Sequence, residues 1–499
     1  MIPIFLKIYA YLVARKVDKW SSSPIQYQKA LFQKILKKTN TSRYRKELNL
    51  TNINTYEEFR NLVPLQNYEN LKKYVDRISK GEQNVLSKNK PIYLIMTSGT
   101  TSGKKYIPTT KSGMNLYLNG IRDSVFYYVY VHKKFNILDG KILTFSGSPV
   151  LSKIGQITSG RVSSVLSNKI PWYFSFYRLP NRKSNSISDW TEKVESIIEE
   201  SIKTDVRIIT GLPIWIQNYF DGILARGHES VLDVFPNLQL FVHGGLSIKP
   251  YINHLHKLIH NTTKIDFIEV YNASEGFFAF QNDVNDEGLL LHLNSGIFYE
   301  FMTVNSNQSN EKTRIPLWEV EVDQEYEMII STYSGVLAYC TDDTIKFNST
   351  KPYKIVWTGR KQQFTSAFNE HVIAEEVESA VYQAVKNTSM DLIEFTVAPT
   401  VNVEGSDSFY DWHIEFGENY KDEKLKDFAQ ELDDYIKSKN HVYRELRQAN
   451  ILKNPRITQI QKNGFYNYMQ GENKLGDQYK VVHLANDRNI VNKLSEWAV

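Results

Sequence analysis

Ile4, Ile8 and Leu12 recur at i, i+4 and i+8, a spacing that predicts an amphipathic helix at the start of the chain. The helical texture continues through "YEEFRNLVPLQNYENLKKYVDRI", so residues 1–85 read as helical and polar. From Pro91 the pattern changes to short apolar runs. "PIYLIM" and "GKILTFSG" have the unbroken apolar character of buried strands. "VRIITGLP", "LQLFVHGG" and "IDFIEVYNAS" share one form, a strand ending in small or polar residues. Ligands of open α/β sheets sit beyond the carboxyl ends of strands. Three such ends between Val206 and Ser274 therefore predict one shared site.

"LYLNGIRDSVFYYVYV" predicts a helix, and "YEMIISTY" and "GVLAYCTDDTIKF" predict two later strands. Arg182–Asp189 and Asn305–Thr313 are expected to be solvated connections. The texture shifts again at "KIVWTGRKQQF". Beyond it come a helix, "AEEVESAVYQAVKN", two strands, "LIEFTVAP" and "WHIEF", and a helix, "DEKLKDFAQELDDYIKSKN". The expected fold is α/β: a large N-terminal domain of mixed β-sheets layered with helices, residues 1–358, and a small C-terminal α+β domain, residues 359–499. A hinge is expected near Thr358–Lys361.

A chain of 499 residues, 41% apolar and 13% aromatic, has ample material for two folded cores. Its net charge of +5 is spread over 60 basic and 55 acidic residues without a block of like charges. No nucleic-acid partner and no polybasic membrane patch are expected. The single cysteine, Cys340, excludes an internal disulfide framework and fits a reducing compartment. "MIPIFLKIYAYLVARK" has the look of a signal peptide, but Lys7 interrupts the apolar run and no A-x-A cleavage site follows. A helix docked on its own domain is expected, a membrane-surface helix being the alternative. No membrane span is expected, the location is expected to be cytoplasmic, and the protein to be a monomer.

"IMTSGTTSGKKYIP" follows the first apolar strand and spends its positions on hydroxyls, glycines and lysines. Such a loop can wrap an anion with backbone N–H groups and hydroxyls. It is not a Walker A loop. Gly99 and Gly103 enclose three residues where that loop has four, and Lys105 stands where Ser or Thr is required.

This loop resembles the phosphate loop of the adenylate-forming superfamily, which includes firefly luciferase and the acyl-CoA synthetases. In detail it is similar to that of the auxin-responsive promoter (Gretchen-Hagen-three) family of acyl acid amido synthetases. "FPNLQLFVHGGLSIKPY", "YNASEGFFA", "YCTDDTIKF", "TGRKQQFTSAFNEHV" and "KLGDQYKVVHLANDR" resemble further family blocks and occur in family order. The resemblance implies an ATP- and Mg²⁺-dependent ligase that adenylates a carboxylic acid and passes the acyl group to an amine, expected to be that of an amino acid. Transfer to a thiol of coenzyme A or a carrier protein is the alternative, and a nucleotide-binding protein without catalysis a third. By resemblance, Thr97, Ser98, Gly99, Thr100, Thr101 and Ser102 embrace the triphosphate. Gly244, Gly245, Tyr271, Asn272, Ala273 and Ser274 line the adenine side, and Glu275 helps to hold Mg²⁺. Asp343 takes the ribose hydroxyls, and Arg360 reaches the same ribose. Lys480 is the lysine of a mobile C-terminal domain that meets the phosphate during adenylation. Attack of a carboxylate on an α-phosphate gathers negative charge, so cations, N–H donors and a metal are the residue types such a site needs.

Two blocks depart from the family pattern. Tyr339-Cys340-Thr341-Asp342-Asp343 stands where Tyr-Arg-x-Gly-Asp is usual, which leaves Asp342 as the alternative to Asp343. Val482-His483 stands where Pro-Arg is common. His243, before the double glycine, is a candidate for contact with nucleotide or substrate, or else a core histidine. Arg122 is a candidate for a polar end of the substrate, or else a salt-bridge residue. His254, His256 and His260 lack H-E-x-x-H, a cysteine and a third ligand, so a solvated helix face is expected there. Cys340 has no accompanying base motif and is not read as a nucleophile.

Overall fold

The computed structural model describes residues 4–50, 52–97, 104–169, 176–260, 265–304, 313–360, 364–365, 372–401, 407–476 and 479–499, and at 4, 5, 360, 364 and 365 the backbone alone. Helices run from Ile4 to Ser79, beginning with α1 (Ile4–Ser22). α1 is docked, but not by the expected stripe. It buries Ala10, Val13, Ala14, Val17 and Trp20, and leaves Ile8 and Leu12 52% and 57% exposed. Two stripes compete on this helix. A fully buried indole, packed against the His292 ring at 5.0 Å, removes more apolar area from water than Ile8 and Leu12 would.

β1 (Pro91–Met96) and β2 (Tyr106–Thr110) form an antiparallel hairpin, and the Thr97 N–H donates to the Lys105 carbonyl at 2.9 Å across its neck. Thr110 then caps α2 (Lys111–Val131), its side chain accepting from the Gly113 N–H. α1 packs along α2, with Tyr9 edge-on to Phe126 at 5.0 Å.

Among the described residues a twelve-stranded sheet crosses the large domain. One part is parallel: β3 (Lys141–Thr144), β4 (Val206–Gly211), β5 (Leu240–Gly244) and β6 (Asp266–Asn272) are successive neighbours. Between β5 and β6 lies the short helix α3 (Ile252–Leu258). From β6 the sheet turns antiparallel through β7 (Phe277–Gln281). β8 (Tyr339–Thr350) and β9 (Tyr353–Arg360) belong to that antiparallel part, and β9 is its last strand in chain order. The predicted strand "GVLAYCTDDTIKF" starts at Tyr339, because Gly335 and Ala338 have positive φ (104° and 47°) and make a turn. Within Arg182–Asp189 a short helix, Arg182–Asn185, buries Ser184 and Asn185, so that connection is less solvated than expected. Residues 305–312 of the other polar loop lie outside the described residues.

The small domain packs α4 (Ala374–Thr388) and α5 (Asp422–Lys439) on a three-stranded sheet of β10 (Leu392–Thr400), β11 (Phe409–Phe416) and β12 (Arg456–Ile460). Its core holds Val381, Phe395, Trp412, Phe428 and Leu432, apart from the cores of the large domain. Among the described residues no helix is long and apolar enough to cross a membrane.

Candidate active site

The ends of β4, β5 and β6 come together as the sequence pattern predicted, because the three strands are adjacent and parallel. β5 ends at Gly244, where a Cβ would lie 2.4 Å from the Val270 carbonyl oxygen, so only glycine fits. Gly245 continues at φ +80°, which also favours glycine. β6 ends with Tyr271 and Asn272, followed by Ala273, whose N–H bonds the Gly276 carbonyl at 2.9 Å. Ser274 Oγ donates to the Met96 carbonyl at 3.3 Å. This bond ties the loop after β6 to the strand that feeds the hydroxyl-rich loop. Thr97 sits at that junction. Ser98, Gly99, Thr100, Thr101 and Ser102 lie outside the described residues.

Asp343 and Asp342 have different surroundings. Asp343 is 6% exposed on β8 and accepts from the Tyr271 hydroxyl at 2.6 Å. Asp342 takes a positive φ of 64° and turns toward solvent, with Lys105 Nζ at 3.8 Å. Arg360, the last residue of β9, pairs with Asp343 in register. Its side chain lies outside the described residues.

Lys480, on the small domain and exposed, donates to the carbonyl of Gly245. The strand end that carries the double glycine is thus met by a cation from the other domain. Nearby, the guanidinium of Arg161 lies 5.1 Å from the centre of the Tyr479 ring, and Thr191 bonds Tyr466.

A narrow cleft opens beside Glu275. Ile107, Met114, Tyr117, Phe277 and Ile297 give it apolar walls, with Glu275 among its polar lining. The Tyr117 hydroxyl accepts from Asn272 Nδ2 at 2.8 Å, and burial first, with Glu275 also contributing, raises its pKa.

Arg122 and His243 do not line this cleft. Arg122 is held by Asp123, with Nε at 3.0 Å and Nη2 at 2.6 Å from Oδ1. Asp123 is fully buried and also meets His292 at 3.3 Å. Arg122 therefore stands in a salt bridge in this structure. His243 is 2% exposed beside Phe241, and burial lowers its pKa to about 3, keeping it neutral. It is a core histidine. The histidine run also differs from expectation: α3 ends at Leu258 and His260 has φ 55°, so His256 and His260 are not helical neighbours. His254 is not solvated. It is buried against Asp391 of the small domain at 2.9 Å. Sequence reasoning missed Tyr117 and Tyr251, which lie in ordinary-looking apolar or polar runs.

Among the described residues no group of three or more His, Cys, Asp or Glu side chains is placed to hold a metal. Glu275 offers a single carboxylate, the donor type with which Mg²⁺ bound mainly by substrate phosphates is compatible.

Parallel strand ends, a buried acid facing a tyrosine, and a lysine reaching over from the small domain come together at one place in this α/β fold. Comparison with known proteins defines it further. The GH3 family N-terminal domain matches residues 13–193, the GH3 family central domain residues 290–360, and the GH3 family C-terminal domain residues 375–489. These cover well over half of the chain, which belongs to the GH3 family. It is 22% identical over 439 residues to jasmonoyl–L-amino acid synthetase JAR4 of Nicotiana attenuata, covering 73% of this chain and 74% of that protein. Against indole-3-acetic acid-amido synthetase GH3.10 of Arabidopsis thaliana it is 22% identical over 454 residues, again covering 73% and 74%. The solved AtGH3.15 acyl acid amido synthetase in complex with 2,4-DB superposes with a TM-score of 0.80 at 15% identity, over 100% of this chain and 98% of that one. The fold is shared across that distance.

Proposed function

We propose that this protein is an acyl acid amido synthetase that joins a carboxylic acid to the amine of an amino acid, at the expense of ATP. The observation that carries this reading is Lys480 of the small domain on the Gly245 carbonyl, at the end of β5, beside β6, whose Tyr271 bonds Asp343. The names of the relatives, amino acid and amido synthetases, supply the class of acceptor.

In the first step a carboxylate oxygen of the acid attacks the α-phosphorus of ATP, the bond to the β-phosphate oxygen breaks, and pyrophosphate leaves. Asp343, oriented by Tyr271, accepts the ribose hydroxyls, and Arg360 serves the same ribose. Gly244 and Gly245 leave room for the nucleotide beside Tyr271, Asn272, Ala273 and Ser274. The loop Thr97–Ser102 wraps the phosphates. Mg²⁺, held by Glu275 and those phosphates, would supply Lewis-acid neutralisation of the charge. Lys480 adds a point charge where negative charge accumulates. In the second step the amine nitrogen attacks the acyl carbonyl, loses its proton, and AMP leaves. Positioning and charge stabilisation suffice for both steps, so no covalent enzyme intermediate is required. The cleft beside Glu275 takes the acid, and its apolar walls suit an apolar body. Residues 1–358 and 359–499 act as two domains about a hinge near Thr358–Lys361, the small one rotating away before aminolysis.

ATP–pyrophosphate exchange over a panel of carboxylic acids, with mass spectrometry of the products from mixed amino acids and coenzyme A, tests this. Acid-dependent exchange and an amide product are expected. A thioester product would overturn the amide assignment, and nucleotide binding without exchange would overturn catalysis.

A further inference from the structure

The segment that carries Lys480 is anchored three residues later. His483 is 5% exposed. Its Nδ1 is 2.9 Å from Glu378 Oε1 on α4, and its Nε2 is 3.2 Å from Glu394 Oε1 on β10. The ring stacks on Phe395, with centroids 4.2 Å apart. The backbone is stitched to β10 as well: the Val397 N–H donates to the His483 carbonyl at 2.8 Å and the Ala485 N–H to the Val397 carbonyl at 2.9 Å.

The fourth member of this cluster comes from the large domain. Tyr251, fully buried, donates its hydroxyl proton to Glu394 Oε1 at 2.9 Å and lies 2.9 Å from His483 Nε2. Tyr251 lies six residues past Gly245, on the segment that leaves the end of β5. The same two segments therefore meet twice: Gly245 with Lys480, and Tyr251 with His483. Two contacts fix an orientation where one flexible lysine cannot.

We propose that His483 is a positioning residue that, by clasping Tyr251 between the domains, sets Lys480 against the Gly245 strand end for adenylation. The clasp rests on the reading of Lys480 given above. Its groups form one consistent pattern. An imidazolium donates from Nδ1 to Glu378 and from Nε2 toward Tyr251 and Glu394, while the tyrosine hydroxyl donates to Glu394. Glu269 on β6 lies near Glu378, and burial first, then the Glu378 charge, raises its pKa to about 7. Lys249 faces Glu269, and Glu415 on β11 faces Glu394.

Burial on its own lowers the His483 pKa, but the hydrogen bonds to Glu378 and Glu394, and then their charges, raise it to about 9. A histidine raised above its ordinary ~6.5 stabilises the bonded state fully below that value. The contribution is lost as pH rises through about 9. Opening the domains strips Glu394 of its tyrosine donor and wets a buried hydroxyl, while Glu378 and Glu394 stay with His483 on the small domain and hold its charge in either arrangement.

The test uses Tyr251→Phe, His483→Gln and His483→Arg in the full chain. It measures pyrophosphate exchange, amide formation from chemically made acyl adenylate and amine, both from pH 6 to pH 10, and the radius of gyration by small-angle scattering. Tyr251→Phe and His483→Gln should lower the exchange kcat by about 10–100-fold, the range of one charge-assisted hydrogen bond. The KM for ATP should change little, aminolysis should hold, and the particle should expand. His483→Arg, which keeps donors toward Glu378, Glu394 and Tyr251, should recover exchange. Equal losses in both half-reactions, or an arginine variant as poor as the glutamine one, would overturn the inference. If the wild type exchanges with no acid, the adenylation reading fails. The clasp is then decided by scattering, where folded Tyr251→Phe as compact as the wild type sinks it.

Discussion

Asp343→Asn and Asp342→Asn differ by one position in the chain and should differ by about 6-fold or more in effect. The Tyr271 hydroxyl reaches Asp343 at 2.6 Å, in the range of a charge-assisted O–H···O⁻ bond. Such a bond is worth about 1.5–3 kcal/mol against about 0.5–1.5 kcal/mol for a neutral one, so an amide acceptor loses about 1–1.5 kcal/mol per bond. With two ribose hydroxyls as further donors, the loss in ATP binding is about 2–3 kcal/mol, or roughly 30–150-fold in KM. Asp342 faces a different prospect. Its side chain is 34% exposed, its ion pair with Lys105 spans 3.8 Å, and such pairs contribute about 0–1 kcal/mol. Its φ of 64° is one that asparagine adopts readily. Asp342→Asn should change the KM for ATP by less than about 5-fold. The assay is the KM for ATP in pyrophosphate exchange at saturating acid, with thermal melts of both variants. A Tyr271→Phe cycle checks that the coupling runs through the hydroxyl. An Asp342→Asn effect equal to or larger than that of Asp343→Asn, both being folded, would refute the assignment.

Other outcomes follow from the same geometry. Lys480→Ala should cut pyrophosphate exchange by about 10²–10³-fold and leave aminolysis of a supplied acyl adenylate near normal; equal losses in both would remove the two-conformation mechanism. Gly244→Ala forces a Cβ to within 2.4 Å of the Val270 carbonyl and should lower stability by about 1–3 kcal/mol; an unchanged calorimetric melting temperature would show that the strand end yields. Arg122→Met strips Asp123 of its bidentate donor and should destabilise by about 1–3 kcal/mol, with no change in the KM for any acid; a selective rise in that KM would return Arg122 to the substrate.

Local chemistry made much of this protein readable. Apolar runs ending in small residues located β4, β5 and β6, because a buried strand must be apolar along its length and must stop where a site begins. Gly244 and Gly245 were legible because close backbone approach and positive φ leave few alternatives to glycine. The blocks around Thr97, Glu275, Asp343 and Lys480 were legible by resemblance, in their order along the chain.

What the pattern did not decide is which of two adequate surfaces meets which neighbour. α1 offers an Ile4–Ile8–Leu12 stripe and an Ala10–Val13–Val17–Trp20 stripe, and only packing on α2 and His292 selects the second. Arg122 had a substrate and a salt bridge open to it, and the fold shows the salt bridge, with Nε and Nη2 donating to Asp123. Asp342 and Asp343 are the same residue chemically, and the β8 register buries one and turns the other out. His254 and His483 read as solvated or merely divergent, because their carboxylate partners lie 137 and 89 to 105 positions away. Hydrophobic periodicity reports the neighbours a residue has along its own helix or strand. Charge pairing between domains depends on groups that only tertiary folding brings within 3 Å.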